Sequence, residues 1–190
     1  CVFYDTEIAG IALEMVDGGA MEGIAISNIS MRNVNGPLFV RLGNRARPHQ
    51  PDAPKPGMGA MRDITITNIE AAGASPIGCS ITGLPDHPVE NVRLENIRIR
   101  FEGGGTSDQV FCEVPEQEEK YPEYKMFGTL PAYGLYCRHV RNISLSGIDL
   151  KTESPDERPA LVIDDAEFLQ VERFSGAACF RQPALLWLKD

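Results

Sequence analysis

The sequence predicts an all-β protein, a right-handed parallel β-helix (solenoid) with two loop insertions, and two observations support this fold class. Five segments of the 190-residue chain share one pattern of alternating apolar residues, in which Ile and Val predominate. Irregular stretches rich in Pro, Gly and charge interrupt the series. A single repeat of this kind cannot bury its apolar face alone, so repeats stack around a continuous core. Residues 1–190 are therefore expected to form one β-helix domain.

The repeats are defined by apolar alternation with one change of phase. They are Met21–Val34, Met61–Ala71, Val89–Phe101, Val140–Leu150 and, more weakly, Leu169–Gly176. In the first repeat Ile24 and Ile26 alternate as in a strand, and the step to Ile29 shifts the phase. A bend between them places both halves on one interior. The matching apolar positions of the next three repeats are Ile64, Ile66, Ile69, Val92, Leu94, Ile97, Ile99, Ile143, Leu145, Ile148 and Leu150.

The bend position itself predicts a corner with left-handed backbone angles. It is occupied by Asn28, Asn68 and Asn96 in three repeats and by Gly147 in the fourth, and these residue types tolerate that conformation. Corners stacked one on another would form an internal asparagine ladder.

The spacing of the repeats locates the insertions. The repeats begin at residues 21, 61, 89, 140 and 169, which gives steps of 40, 28, 51 and 29 residues. The short steps fit one turn of a solenoid, and the long ones contain insertions at about 45–60 and 102–131. A β-sandwich of short strands is the alternative, but its connecting segments would have to be more regular than these.

Composition excludes several classes of function. With 18 basic and 27 acidic residues the net charge is −9, so nucleic acid is not expected as a partner. No apolar run approaches the roughly 18 residues that a membrane helix needs, so no membrane partner is expected either. The five cysteines are widely spaced and include no C-x-x-C pair, so neither a zinc site nor a disulfide framework is predicted. Cys79 and Cys137 are expected to be small buried hydrophobes. No metal or cofactor is predicted.

The N-terminus does not indicate a compartment. The first residue is Cys, and the residues after it already have the character of a strand and not of a signal peptide. We expect the chain to be a segment of a longer gene product, with its natural start upstream.

The first insertion is basic although the whole chain is acidic. Its cations are Arg41, Arg45, Arg47, Lys55 and Arg62, with His49 beside them and Asp52 as the one acid. A guanidinium suits a planar carboxylate, so Arg41, Arg45 and Arg47 are predicted to bind an acidic sugar polymer, with Asn44 on a sugar hydroxyl. The alternative is a solvated loop that keeps a sheet edge soluble.

The second insertion combines aromatic residues with carboxylates. Tyr124 offers an apolar ring with a polar end, which suits stacking on a sugar. Glu123 belongs to an acidic run with Glu116, Glu118 and Glu119, in which a general acid with a raised pKa is a candidate. The alternatives are an exposed charged run for the glutamates and, for Phe127 and Tyr133, a loop packed onto the strands by its aromatics.

Three further pairs are candidates for acid–base chemistry, and Asp86, His87 and His139, like Glu123, are predicted to bind substrate. Asp86-His87 lies in a Pro-bounded turn, where it also suits ordinary turn chemistry. Arg138-His139 precedes the fourth repeat, and His139 is either a ligand or a corner residue. Asp164-Asp165 supplies the two carboxylates that glycoside hydrolysis uses, but neighbours on a strand point to opposite faces, which argues against a catalytic pair.

The repeats and four further stretches resemble glycoside hydrolase family twenty-eight, the polygalacturonases and rhamnogalacturonases. These stretches are GGAMEGIAISNISMRNV, PLFVRLGNR, GLPDHPVENVRLENI and YPEYKMFGTLPAYGLYCRHVRNISL. The resemblance covers nearly the whole chain, matches the C-terminal part of such enzymes, and implies a parallel β-helix acting on pectin, outside the cell or in the periplasm.

The catalytic motifs of that family are missing from this chain. The family uses N-T-D, G-D-D, G-H-G and R-I-K in that order, and none occurs here in its context: His87 has no flanking glycines, and Arg98-Ile99-Arg100 lies within a repeat strand. The catalytic residues are therefore unknown. We expect part of a polygalacturonase-like hydrolase that is inactive alone; the alternative is a non-catalytic β-helix module for carbohydrate binding or assembly. An uncovered N-terminal sheet end is expected to promote self-association.

Overall fold

The computed structural model describes residues 1–179 and 182–189, which are almost entirely β-structure. The strands are β1 (Val2–Met15), β2 (Ala20–Leu42), β3 (Ala60–Ala74), β4 (Cys79–Thr82), β5 (Val89–Phe101), β6 (Leu135–Thr152), β7 (Leu161–Gly176) and β8 (Leu186–Lys189). A short 3-10 helix, Ser107–Phe111, is the one helical element among them. Nothing helical in the described residues has the length and apolar character of a transmembrane span. The prediction of an all-β protein is confirmed.

All pairings between the named strands are parallel, and their registers carry the repeat. The sheet order is β1-β2-β3-β5-β6-β7-β8, and β4 pairs with both β2 and β6. The pairings of β2, β3, β5, β6 and β4 thus form a closed circuit, a five-stranded parallel barrel. Equivalent residues of the repeats are direct partners, as in the series Ile64, Val92 and Ile143. The alignment of the first four repeats is therefore confirmed.

The fifth repeat is displaced from its predicted alignment. Leu169 pairs with Ile143 and not with Val140, whose partner is Ala166. The step at this point is therefore 26 residues and not 29. The weak apolar signal of the LQVERFSG segment explains the error, because Ala166 precedes it and gives little indication of where the repeat begins.

The long strands change direction at residues with positive φ. Asn28, Asn68 and Asn96 have φ of 59°, 55° and 54°, and Gly147 has φ of 66°, as the sequence predicted. Asn68 donates to Asn28 at 3.0 Å, and Asn96 donates to Asn68 at 3.2 Å. These amides form a ladder on the exposed surface, not an internal one. A Cβ on Gly147 would lie 2.9 Å from the Asn96 Oδ1, so glycine suits this position on two grounds.

The sequence analysis did not identify a second corner ladder. Asn91 donates to Asp63 and Asn142 donates to Asn91, both at 2.8 Å, and all three residues have positive φ. Each corner restores the inward direction of the next apolar residue, since strict alternation would point it outward. The corners thus allow one strand to line the core along two or three straight segments.

We name the three sides of the molecule after these straight segments. The first side consists of residues 20–27, 60–67, 89–95, 140–146 and 166–172. The second side consists of 2–4, 29–32, 69–72, 97–100, 148–151 and 174–176. The third side consists of 11–15, 38–42, 79–82, 135–138, 161–164 and 186–189.

One apolar core lies inside these three sides. The predicted inward residues are buried, including Ile64, Leu94 and Leu145 at 0–1% exposure. Ile24 and Ile26 are only partly buried, because β1 pairs with β2 from Ser30 onward and leaves residues 20–27 without a strand partner on that edge. Cys79 and Cys137 are buried free thiols, as predicted, and burial raises the pKa of Cys79 to about 12.

A second, smaller core lies outside the third side. The irregular segments 43–59 and 102–134 overlap the expected insertions, and the longer one covers the strands. We name residues 102–134 the covering segment. Its Tyr124, Phe127 and Leu130 pack against Phe39 and Tyr136. The prediction that Phe127 packs the segment onto the strands is confirmed, and Tyr133 is buried in the main core.

Candidate functional site

The strand register aligns charged residues along the outer surface of the third side. Successive partners in one column are Glu14, Arg41, Thr82, Arg138, Asp164 and Lys189. We name this row the charged column. Apart from Ser80, the neighbouring outward positions are apolar or aromatic, and Phe39, Tyr136 and Val162 among them lie under the covering segment. The charged column therefore follows the margin of the second core, where the covering segment meets the strands.

Arg41 lies at the buried end of this margin. Its side chain is 1% exposed, its guanidinium donates to the carbonyl oxygens of Gly83 at 2.9 Å and Glu116 at 2.6 Å, and it lies 5.3 Å from the centre of the Phe127 ring. Burial, and then the charge of Arg138, lower the pKa of Arg41 to about 10. The prediction that Arg41 binds glycan is corrected: the group is enclosed and fixes the covering segment to the strands.

Arg138 joins the covering segment to the charged column. It donates from Nη1 to the Val114 carbonyl at 2.5 Å, and its Nη2 forms an ion pair with Glu116. Both partners belong to the covering segment, so Arg138 and Arg41 hold the same stretch of it from two strands, β6 and β2, that lie on either side of β4. Arg138 keeps an exposed part of its side chain and borders a groove described below.

His139 is a corner residue that faces two carboxylates. It has φ of 50° and is 9% exposed. Its Nδ1 lies 2.5 Å from Asp165 Oδ2, and its Nε2 lies 3.1 Å from both Glu116 Oε1 and the Nε of Arg138. Asp165 is the next corner along the stack, with φ of 55°. The side chains of His139 and Asp165 therefore contact each other across two stacked corners, as the side chains of the asparagine ladders do at the other corners.

The carboxylates of Asp164 and Asp165 point to different grooves, which agrees with the argument against a catalytic pair. Asp164 accepts a hydrogen bond from the Tyr136 hydroxyl at 3.0 Å, whereas Asp165 contacts His139. Burial and the charge of Asp164 raise the pKa of Tyr136 above its ordinary range. Tyr136 is thus a neutral donor that orients Asp164.

The larger groove of this region has a volume of about 610 Å³. It is lined by Phe111, Cys112, Glu113, Val114, Pro115, Arg138, Asp164 and Lys189. Phe111 is 72% exposed and makes an edge contact with Trp187, at 5.5 Å between ring centres. The Nζ of Lys189 lies 5.6 Å from the centre of the Trp187 ring. An exposed aromatic ring, two cations and two carboxylates, hydrogen-bonded Asp164 and exposed Glu113, therefore share one open surface.

A smaller groove of about 160 Å³ lies on the other side of the His139 corner. Asp86, His139, Arg141 and Asp165 line it. Arg141 forms ion pairs with Glu90 and Glu167, both at 2.8 Å. The charged groups in and around the smaller groove thus largely neutralise one another.

The structure separates Asp86 from His87. Asp86 has φ of 62° and lines the smaller groove, whereas His87 is exposed and its backbone pairs with Leu84 across the turn. No hydrogen bond joins the two side chains in the part of the chain that the structure describes. Their arrangement is that of a tight turn.

The remaining residues of the first insertion contact the covering segment or lie near it. Asn44 donates to Glu118 Oε1 at 3.2 Å, and Arg45 forms an ion pair with Asp17 while its guanidinium lies 5.2 Å from the Tyr121 ring. Arg47 has an exposed side chain. Asn44 and Arg45 thus have protein partners, and Arg47 is the cation of the three predicted arginines that is most open to solvent.

Tyr124 and Glu123 differ in accessibility. The Tyr124 ring is 4% exposed within the second core, so the prediction of an exposed stacking surface there is corrected. Glu123 is exposed. The pKa of Glu14 is raised, first by the burial of Glu14 itself and second by the negative charge of Glu123. The carboxyl with a raised pKa is therefore Glu14 in the charged column, which the sequence analysis did not select.

Sequence reasoning also missed Phe111 and Lys189, which line one groove with Arg138, and Trp187, whose ring contacts Phe111. Only the fold brings them together, since the 3-10 helix of the covering segment carries Phe111 and β8 carries the other two. In the described residues, no group of three or more His, Cys, Asp and Glu side chains is arranged to hold a metal ion. Comparison of the chain with protein-family models, curated proteins and solved structures finds no match.

Proposed function

We propose that the chain is the glycan-binding part of a polygalacturonase-like glycoside hydrolase and that its fold is a right-handed parallel β-helix. The registers support this architecture, because β2 and β6 each take part in the five-strand circuit with two separate straight segments. One long strand that serves two sides is what a solenoid turn requires. The stacked Asn28, Asn68 and Asn96 corners support the same reading.

The larger groove on the third side is the proposed binding site. The observation that carries this proposal is the convergence of exposed Phe111 with Arg138 and Lys189 on one open surface. An aromatic ring stacks on the apolar face of a sugar, and the cations bind the carboxylate of a uronic acid. Asp164, oriented by Tyr136, is an acceptor for sugar hydroxyls.

The carboxylates at this site favour binding over catalysis by the chain alone. Asp164, Asp165 and Glu116 have hydrogen-bond or ion-pair partners, which leaves exposed Glu113 as the one carboxylate of the groove without a partner among the described residues. Inverting hydrolysis needs one free carboxylic acid and one free carboxylate about 6.5–9.5 Å apart. The alternative class, a non-catalytic binding or assembly module, shares this surface and differs only in having no catalytic partner elsewhere in the gene product.

Two assays on the purified chain test this proposal. Affinity electrophoresis in polygalacturonan, rhamnogalacturonan and a neutral glucan measures binding, and reducing-end release from the same polymers measures hydrolysis. We expect binding to the acidic polymers, weakened by salt, and no release. Phe111→Ala with Lys189→Ala should weaken binding about tenfold, whereas Phe168→Ala, an equally exposed ring on the first side, should not. Release of reducing ends, or equal binding by both variants, would contradict the proposal.

We also propose that the 190-residue chain associates through its uncovered sheet end. Residues 20–27 have one edge without a paired strand among the described residues, and Val2 and Ile8 in the terminal strand β1 are 65% and 58% exposed. An open edge with apolar neighbours promotes pairing with another chain. Sedimentation velocity over a hundredfold dilution should show dissociation. A single monomeric species at every concentration would argue against it.

A further inference from the structure

A second charged row lies on the second side of the molecule. Successive strand partners are Tyr4, Arg32, Ala72, Arg100 and Lys151. All five are exposed. Neighbouring strands are about 4.8 Å apart, so the row crosses five strands and extends over about 19 Å. We name it the cation row.

Residues of the adjacent outward column leave the cation row mostly unneutralised. In that column Glu70 forms an ion pair with Arg98 at 3.0 Å. Asp149 contacts Lys151 at 3.1 Å and accepts from Ser175 at 2.9 Å. Burial raises the pKa of Asp149, but the contacts to Lys151 and Ser175 outweigh burial and lower it overall. Within the described residues, Arg32 and Arg100 have no ion-pair partner.

A groove of about 450 Å³ lies between the two columns. Its lining carries four cations and two carboxylates, a balance of +2 in a chain whose net charge is −9. The charged residues are Arg32, Arg98, Arg100, Lys151, Glu70 and Asp149. Ala72 lies between Arg32 and Arg100 in the row, so no long side chain fills the groove there.

We infer that the cation row binds a linear acidic polysaccharide that crosses the strands, with its carboxylates on Arg32 and Arg100. Arg32 and Arg100 lie on strands that are two strand spacings, about 9.6 Å, apart. A polyuronate presents a carboxylate on every ring. Tyr4 is 69% exposed at one end of the row, where its ring stacks on a sugar. Arginine forks match carboxylates in a bidentate geometry.

The same features favour polysaccharide over single-stranded nucleic acid. Nucleic-acid grooves alternate cations with several aromatic rings for successive bases, whereas Tyr4 is the one aromatic residue of the cation row. The inference does not depend on the groove of the third side, because the two surfaces share no residue.

The experiment is carried out in the Phe111→Ala, Lys189→Ala background, which removes the groove of the third side from the measurement. Affinity electrophoresis in polygalacturonan is compared for this background and for the background with Arg32→Ala and Arg100→Ala. The matched control is Arg93→Ala, an exposed arginine on the first side. Circular dichroism verifies that each variant is folded, which is expected because all three arginines are exposed.

We expect removal of Arg32 and Arg100 to weaken polygalacturonan binding about tenfold, and Arg93→Ala to leave it unchanged within a factor of two. The background protein should bind fully methyl-esterified polygalacturonan as weakly as the variant that also lacks Arg32 and Arg100 binds the unesterified polymer. Tyr4→Ala should weaken binding without changing its dependence on salt. Unchanged binding after loss of Arg32 and Arg100 would overturn the inference, and so would tighter binding of single-stranded DNA that displaces polygalacturonan. If only the third-side proposal were wrong, the Phe111→Ala, Lys189→Ala background would bind polygalacturonan as tightly as the unsubstituted chain.

Discussion

Arg41 and Arg158 are among the largest side chains that are fully buried. Arg41 holds the covering segment to the strands, and Arg158 joins three irregular segments to one another. Arg158 donates to Asp156 and to the carbonyls of Leu130 and Pro76. Burial raises the pKa of Asp156, but the hydrogen bonds and charge of Arg158 outweigh it, so the pKa is lowered overall. Each guanidinium satisfies several carbonyl oxygens that irregular backbone would otherwise leave unpaired.

Arg41→Ala should destabilise the protein by about 2–4 kcal/mol, because it removes buried charge-assisted bonds to Gly83 and Glu116 and leaves a cavity beside Phe127. Urea denaturation measures the difference. Arg47→Ala is the control, since that side chain is 70% exposed and should change stability by less than about 0.5 kcal/mol. Equal stability of the two variants would show that Arg41 does not fix the covering segment.

Asp17 predicts a pH dependence of stability. The hydrogen bond from Arg45, opposed by burial, lowers the pKa of Asp17 from 3.8 to about 2. Because the folded pKa is the lower one, the contribution is complete above about pH 4 and is lost as the pH falls through about 2. Solvent screening at this partly exposed pair limits it to about 1 kcal/mol.

Asp17→Asn should therefore be about 1 kcal/mol less stable than the parent at pH 6, and the difference should shrink between pH 4 and pH 2 and vanish below that. Chemical denaturation at several pH values in this window measures the difference. A constant gap between the two proteins from pH 6 to pH 2 would contradict the assigned ion pair.

At the scale of elements, the covering segment behaves as a lid on the third side held by a few buried groups. Its 3-10 helix ends at Phe111, and its aromatic residues form the second core with Phe39 and Tyr136. The groove proposed for glycan binding lies at its margin. The stability of this one segment therefore controls the shape of the site.

Phe127→Ala should loosen the covering segment, because the ring is 6% exposed and packs in the second core under Arg41. We expect a loss of about 3 kcal/mol and faster tryptic cleavage after Lys120 and Lys125. Tyr121→Ala is the matched control in the same segment, since its ring is 68% exposed. Cleavage rates that are the same for both variants would argue against a packing role for Phe127.

At the scale of the whole molecule, the repeat predicts that the chain can be shortened by one complete repeat and still fold. Residues 61–88 span one 28-residue step of the register from Arg62 to Glu90. Their deletion places Met21 opposite Val89 and keeps every apolar column in phase, so a folded chain with lower stability is expected. Arg41 then lies beside Arg138, which accounts for part of the loss.

Deletion of residues 61–74 is the control, because half a step takes the apolar columns out of phase. Circular dichroism and thermal unfolding compare the two deletions. We expect a cooperative transition for the 28-residue deletion and none for the 14-residue deletion. Loss of structure in both would contradict a stacked repeat.

The sequence alone determined the all-β class, the inward apolar positions and the left-handed corners. These features repeat locally, since alternation shows a strand and Asn or Gly at one phase shift shows a bend. The alignment of the first four repeats followed from the same periodicity, and the fifth was displaced because its apolar signal was weak.

Only the tertiary structure decided which polar residues meet. Parallel pairing brings residues 25 to 56 positions apart onto adjacent strands, so Arg138, Asp164 and Lys189 share one column, and Arg32 and Arg100 share another, although no local pattern links them. Strand pairing together with the covering segment buries the side chain of Arg41, and packing of the covering segment on the strands buries Tyr124. The sequence had suggested both residues for ligand binding. Solvent exposure depends on contacts between distant parts of the chain, and such contacts leave no periodic trace in irregular segments.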